Sequence, residues 1–204
     1  MKNKLFIVLA IAAMIAAGRF IYQKNTAVAG QQPGVFNSKA YIALETNSPE
    51  TAELSQNILY SLARRTKNQW TAVDVFVGEN VQNLYSQSAK RRALEDLSKQ
   101  VKTTPSSDHA LIQAFQRFKD EVEQNKQKHV FGLIVTKGSG NSSSLVAIRQ
   151  ICQKLAQAHT TNMHIAIIGL SPENRLLMSA AISPLKPYVQ FASTSQSEWH
   201  QLIK

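Results

Sequence analysis

The chain has 204 residues, of which 44% are hydrophobic and 18% charged; this excludes an intrinsically disordered protein and leaves room for one domain with a full core plus an appendage. Four of the bases behind the formal charge of +10 (Lys2, Lys4, Arg19 and Lys24) stand in the first 29 residues with no acid beside them, and the remaining 19 bases face 13 acids. Cys152 is the only cysteine, which excludes an intramolecular disulfide, a zinc site of paired cysteines and a lipid-modified N-terminal cysteine.

Met1, Lys2, Asn3 and Lys4 precede an apolar run over residues 5–17, and Gly18, Arg19, Phe20, Ile21 and Tyr22 follow it. A short basic stretch before such a run is an export signal. Ala27, Val28 and Ala29, before Gly30, supply small residues for cleavage, about a dozen positions beyond the run. With residues 20–22 counted and Arg19 snorkelling, the segment reaches about 18 residues, just enough to span a bilayer. Residues 1–29 are therefore expected to be a signal peptide or, by preference, an uncleaved anchor in the cytoplasmic membrane, the two leading lysines placing the rest of the chain outside. Arg19 and Lys24 beyond the run weaken that bias and leave a cytoplasmic body as the alternative. Gly30, Gln31, Gln32, Pro33, Gly34 and Asn37 make 30–38 a linker. The domain is expected over 39–204.

In chain order the pattern then alternates. Residues 40–44 read as a short apolar strand. A helix over 50–66 puts Leu54, Ile58 and Leu62 on one stripe, and Pro49 suits the first helical position, where its missing N–H is no loss. Residues 70–77 alternate as a strand, with Val73, Val75 and Val77 on one face and Asp74 and Phe76 on the other. Gly78, Glu79 and Asn80 turn it into 81–85, an antiparallel edge strand. Helices follow over 90–101 and 108–123, the second with Leu111, Phe115, Phe118 and Val122 at helical spacing. Residues 130–135 are continuously apolar, as in a central strand covered on both faces. A helix over 142–158 aligns Leu145, Ile148, Cys152 and Leu155, which makes Cys152 a buried, inert thiol. A strand over 163–168, a helix over 172–182, a strand over 188–192 and a helix over 197–203 complete the chain. This predicts an α/β fold: a doubly wound, mostly parallel sheet with one antiparallel edge strand and helices on both faces. Ligands of such folds collect beyond the carboxyl ends of the strands.

The order of elements over 39–204 resembles that of a von Willebrand factor A domain. Tyr41, Ile42, Ala43, Leu44, Glu45, Thr46, Asn47, Ser48 and Pro49 stand where that family writes a hydrophobic strand ending in Asp-x-Ser-x-Ser. Residues 94–107 and the helix after them resemble the stretch that carries the family's metal-contacting threonine. Residues 131–138, ending in Thr136, Lys137 and Gly138, resemble the strand that normally ends Thr-Asp-Gly. The resemblance implies a metal-ion-dependent adhesion site, in which carboxylate and hydroxyl oxygens converge on a hard cation.

That ligand pattern is degenerate here. Glu45 replaces the first aspartate, Asn47 and Pro49 replace the serines, and Lys137 replaces the last aspartate. The threonine position falls on Ser107 by the text before it, or on His109 by the register of the helix after it. No metal and no cofactor is expected. Lys137 brings its own positive charge to the place of the ion, which leaves two readings open: an ion pair with Glu45 across the strand ends, or two side chains solvated at loop tips.

Catalytic signatures are missing: there is no Gly-x-Ser-x-Gly, Walker loop, His-Glu-x-x-His or Gly-x-Gly-x-x-Gly. His129, His159, His164 and His200 are isolated and carry no metal-ligand spacing. The glycine- and serine-rich residues 137–142 precede a helix, but the lysine comes before the glycines, so a helix-capping loop is expected rather than a phosphate loop. The basic clusters at 64–67 and 90–92 lack the interleaved aromatics of a nucleic-acid platform, and a nucleic-acid or anionic-surface binder is the alternative reading. The first reading is a membrane-tethered or exported, non-catalytic protein-binding module, in line with the resemblance. Its contact face is expected around Glu45, Asn47, Ser107 and Lys137.

Overall fold

A computed structural model describes residues 36–65, 69–158 and 162–203. The expected signal or anchor over 1–29 lies outside the described residues, as does the linker up to residue 35. Strand β1 spans Ser38–Leu44, helix α1 Pro49–Ala63, β2 Trp70–Val77, β3 Asn80–Ser88, α2 Arg91–Gln100 and α3 Asp108–Gln124. There follow β4 His129–Val135, α4 Ser142–Gln157, β5 Met163–Ile168 and α5 Pro172–Ile182. A 3-10 turn, Ser183–Tyr188, leads to β6 Val189–Ala192 and α6 Gln196–Leu202.

The six strands lie in the order β3-β2-β1-β4-β5-β6. Every pairing is parallel except that of β2 with β3, so the sheet is doubly wound with one antiparallel edge strand, as the alternation predicts. Side chains alternate across each strand, and β1 shows the result: Tyr41 and Ala43 enter one core with residues of α3, α4 and α5, whereas Ile42 and Leu44 enter the other with residues of α1, α2 and α6. Residues 130–135 occupy the centre of the sheet, between β1 and β5.

Two boundaries differ from the sequence reading by three residues, the others by two or fewer. The edge strand runs over nine residues rather than five; only Val81 and Tyr85 of it are buried, and a register shift between Val73 and Asp74 breaks the alternation that would have marked its length. Helix α1 stops at Ala63, the last residue of its apolar stripe, where the Arg64 amide turns back to the carbonyls of Leu62 and Ser61. Its start matches expectation. Ser48 caps it, the Ser48 side chain accepting from the Thr51 amide and the Thr51 side chain accepting from the Ser48 amide, with Pro49 in the first turn.

Packing of α3 on the sheet depends on Gly132. A Cβ at that position would come within 2.5 Å of the Phe118 ring, so the bare backbone is what admits the aromatic ring to the surface of β4.

Candidate functional site: the loops at the carboxyl ends of the strands

Because β1 and β4 are neighbours in register, the residues that leave their ends meet. The Glu45 amide donates to the Val135 carbonyl at 2.8 Å, which brings the Glu45 side chain against Thr136. Glu45 is only 8% exposed. Its Oε2 accepts from Thr136 Oγ1 at 2.5 Å and from the Lys137 amide at 3.0 Å, and its Oε1 accepts from Asn47 Nδ2. Burial nevertheless wins, pushing the carboxyl above its ordinary value against the opposing hydrogen bonds from Thr136 and Lys137. Gly138 turns the chain at a φ of +81°, and its amide donates to Thr136 Oγ1 at 2.9 Å.

The structure corrects both readings of Glu45 and Lys137. The Lys137 ammonium lies 3.7 Å from Glu50 in the first turn of α1, not on Glu45, and Glu45 is held below the surface rather than solvated at a loop tip. The physical reason is burial. Pairing the ammonium with Glu45 would take a second charge out of water, whereas the lysine stem reaches an exposed partner at little cost. What Glu45 receives from Lys137 is its backbone amide.

Asn47 joins the cluster, its amide bridging Glu45 and Thr51. Ser107 and His109 do not: Ser107 Oγ caps α3 by accepting from the His109 amide at 3.3 Å, and among the described residues no hydrogen bond links either to Glu45. Asp108, between them, is the member that belongs. Its Oδ2 accepts from Ser139 Oγ, and its charge helps to raise the Glu45 carboxyl. The loops are further tied by the Thr104 amide, which donates to the Thr46 carbonyl at 2.9 Å. Thr136, Ser139 and Asp108 are the residues that sequence reasoning passed over. Thr136 was in plain view beside Lys137, while Asp108 reads as an ordinary first-turn acid at a helix N-terminus.

A divalent cation would need convergent oxygen ligands. Here the carboxylate oxygens of Glu45 already accept three hydrogen bonds from the chain itself, Asn47 presents nitrogen rather than oxygen to it, and Pro49 offers no side-chain ligand. This donor set does not fit a dication. Among the described residues, no three of the His, Cys, Asp and Glu side chains come together as a metal site.

The other expected features are placed as follows. Cys152 is buried, its thiol pushed up to about 12 by burial, which makes it inert. In the first basic cluster Arg64 stacks on the Tyr60 ring at 4.4 Å and Arg65 donates to the His200 carbonyl; Thr66 and Lys67 lie outside the described residues. In the second, Arg91 pairs with Glu95 at 2.8 Å. His164 stacks against Phe131, His200 meets Ser61, His129 is exposed, and His159 lies outside the described residues. Among the described residues no helix is long and apolar enough to cross a membrane.

Strand order, the single antiparallel edge and the helices on both faces together define the von Willebrand factor A fold, and solved structures agree. An aerotolerance-related membrane protein from Bacteroides fragilis superposes with a TM-score of 0.59 at 10% identity, covering 81% of this chain and 95% of that one. A von Willebrand factor type A protein from Catenulispora acidiphila gives 0.57 at 10% identity, over 82% of this chain and 41% of that one. The von Willebrand factor domain of the type V pilus tip protein Mfa5 from Porphyromonas gingivalis gives 0.56 at 6% identity, over 83% and 94%. No family model and no curated protein matches the sequence. At such identities the likeness establishes the fold, and function has to be argued from the site.

Proposed function

We propose that the chain is a non-catalytic protein-binding module that works without metal, meets its partner through the loops around Glu45, Asn47, Ser107 and Lys137, and is tethered by its N-terminal segment on the extracytoplasmic side of the cytoplasmic membrane. The observation that carries this reading is the closed hydrogen bonding of Glu45. A carboxylate satisfied from within the chain braces the loop after β1 against the loop after β4, and the Thr104 amide ties the loop before α3 to them through the Thr46 carbonyl, leaving Asn47 and Ser107 exposed and Lys137 half-exposed. A braced face suits recognition, because little ordering remains to be done on binding. The occurrence of the fold in a membrane protein and in a pilus tip protein is in keeping with this. Tethering rests on the basic start and apolar run of residues 1–22.

The test is site-specific cross-linking in membranes of the source organism. A photo-reactive side chain at Asn47 or Ser107 of the full chain should trap one protein partner, while the same group at exposed Gln127, before β4 at the opposite end of the sheet, should not. Trapping from Gln127 alone, or loss of the product with rising salt as for a phosphate-backbone ligand, would count against the loop face. A reporter fused after Lys204 should be active only in the form that requires export.

A further inference from the structure

Beyond the loop face, the α5 side of the sheet edge carries a feature that the core does not explain. Helical spacing places Met178, Ala181 and Ile182 of α5 in the core and turns Arg175, Leu176 and Ser179 outward along a second stripe. Leu176 is 79% exposed, a large apolar side chain that its own fold leaves uncovered. Opposite this stripe, Val189 and Phe191 point from alternate positions of β6 and are only partly buried. Between them run two clefts that share Leu176, Ser179 and Phe191, one of about 800 Å³ and one of about 580 Å³. Among the described residues β6 is paired with β5 on one side and has no strand on the other, so its outer edge is open to pairing, and its residues Val189 and Phe191 line the clefts.

Charge marks the two ends. Lys137 and Arg175 line the first cleft and Lys186 the second, and neither is lined by a carboxylate. Among the described residues Arg175 and Lys186 have no ion-pair partner. Glu198 feels the charge of Arg175 but spends its carboxylate on the Ser193 amide.

We propose that this groove takes an extended segment of a partner protein, aliphatic in its middle and acidic at its ends, which adds to the open edge of β6. Main-chain hydrogen bonds to β6 supply affinity, alternate aliphatic side chains fill the space beside Leu176 and Phe191, and the acidic ends meet Arg175 and Lys186. The inference rests on the reading of the chain as a protein-binding module, but not on the loop face being its contact.

Fluorescence anisotropy of labelled peptides on the full chain tests it. The probes are Glu-Glu-Leu-Val-Leu-Val-Glu-Glu, a counterpart with serine at every aliphatic position, and a counterpart with lysine at every glutamate. Only the first is expected to bind. Leu176→Glu, at a position too exposed to matter for folding, should weaken it by roughly tenfold or more, as removal of a central contact does. Arg175→Glu should weaken it and admit the lysine peptide. Of two versions N-methylated at alternate central residues, one should fail and the other bind, because alternate amides of an added strand face β6. Equal binding of the serine peptide, indifference to Leu176→Glu, or tolerance of both methylation patterns overturns the proposal. The peptide result is independent of the cross-links from Asn47 and Ser107, so failure of the groove and failure of the loop face are told apart.

Discussion

Glu45 is a carboxylate whose environment pulls two ways, and the balance sets a pH dependence with a definite sign. Three donors favour its charged form and burial opposes it, with burial the larger. A group whose folded-state value is raised holds its proton more tightly when folded, so its contribution to stability is fully present below the unfolded value and is lost as pH rises through the folded one. Glu45→Gln cannot titrate. The melting temperature of the wild-type chain should therefore fall relative to that of Glu45→Gln as pH rises from the value of an unperturbed glutamate, about 4.3, through the raised folded value; thermal melts from acid to neutral pH decide it, and a constant difference refutes it. The presence of Glu45 and Lys137 at this face was legible in the sequence, because strand ends and loop text gave their positions. Their bonding was not. A backbone amide that outcompetes an ammonium has no side-chain signature, and whether a charge is buried depends on how far Thr136 and the loop after it close over the site.

The packing of α3 on β4 turns on one missing side chain. With a Cβ at Gly132 set to fall within 2.5 Å of Phe118, Gly132→Ala must shift either the ring or the whole helix. Overpacking of this kind costs about 1–3 kcal/mol, which in a domain of this size lowers the melting temperature by roughly 2–4 °C for each kcal/mol. Pairing it with Phe118→Leu should return part of the loss, and a double variant no more stable than Gly132→Ala alone would place the strain elsewhere. At this scale the sequence was informative where burial is two-sided. The continuous apolar residues of β4 and β5 and the stripes of α1, α3 and α4 declared themselves by period. It was least informative at the margins. Ser86 and Gln87 carry β3 beyond Tyr85 by pairing with Ala72 and Thr71, and polar residues added to a strand in this way leave no hydrophobic pattern to read.

For the molecule as a whole, the donor set around Glu45 makes a thermodynamic prediction about divalent ions. An ion that bound the folded state alone and was present at about 100 times its dissociation constant would add roughly 2.7 kcal/mol of stability, a shift readily seen in a thermal melt. Binding here would first require Glu45 to give up Thr136 and the Lys137 amide, which hold loops together, and it would set the ion beside an ammonium already in place at the surface. Both terms act against it, and the Lys137 repulsion is the smaller because that group is half-exposed and screened. The melting temperature of the full chain is therefore expected to be the same in chelator and in millimolar magnesium or calcium. Lys137→Asp separates the two terms. It removes the repulsion and adds an acidic ligand, yet leaves the hydrogen bonds of Glu45, the nitrogen of Asn47 and the bare ring of Pro49 unchanged, so it should remain insensitive to metal as well. A rise of several degrees with metal in the wild-type chain would show that the Glu45 network opens to admit an ion, and a rise in Lys137→Asp alone would show that the ammonium, not the network, keeps the ion out.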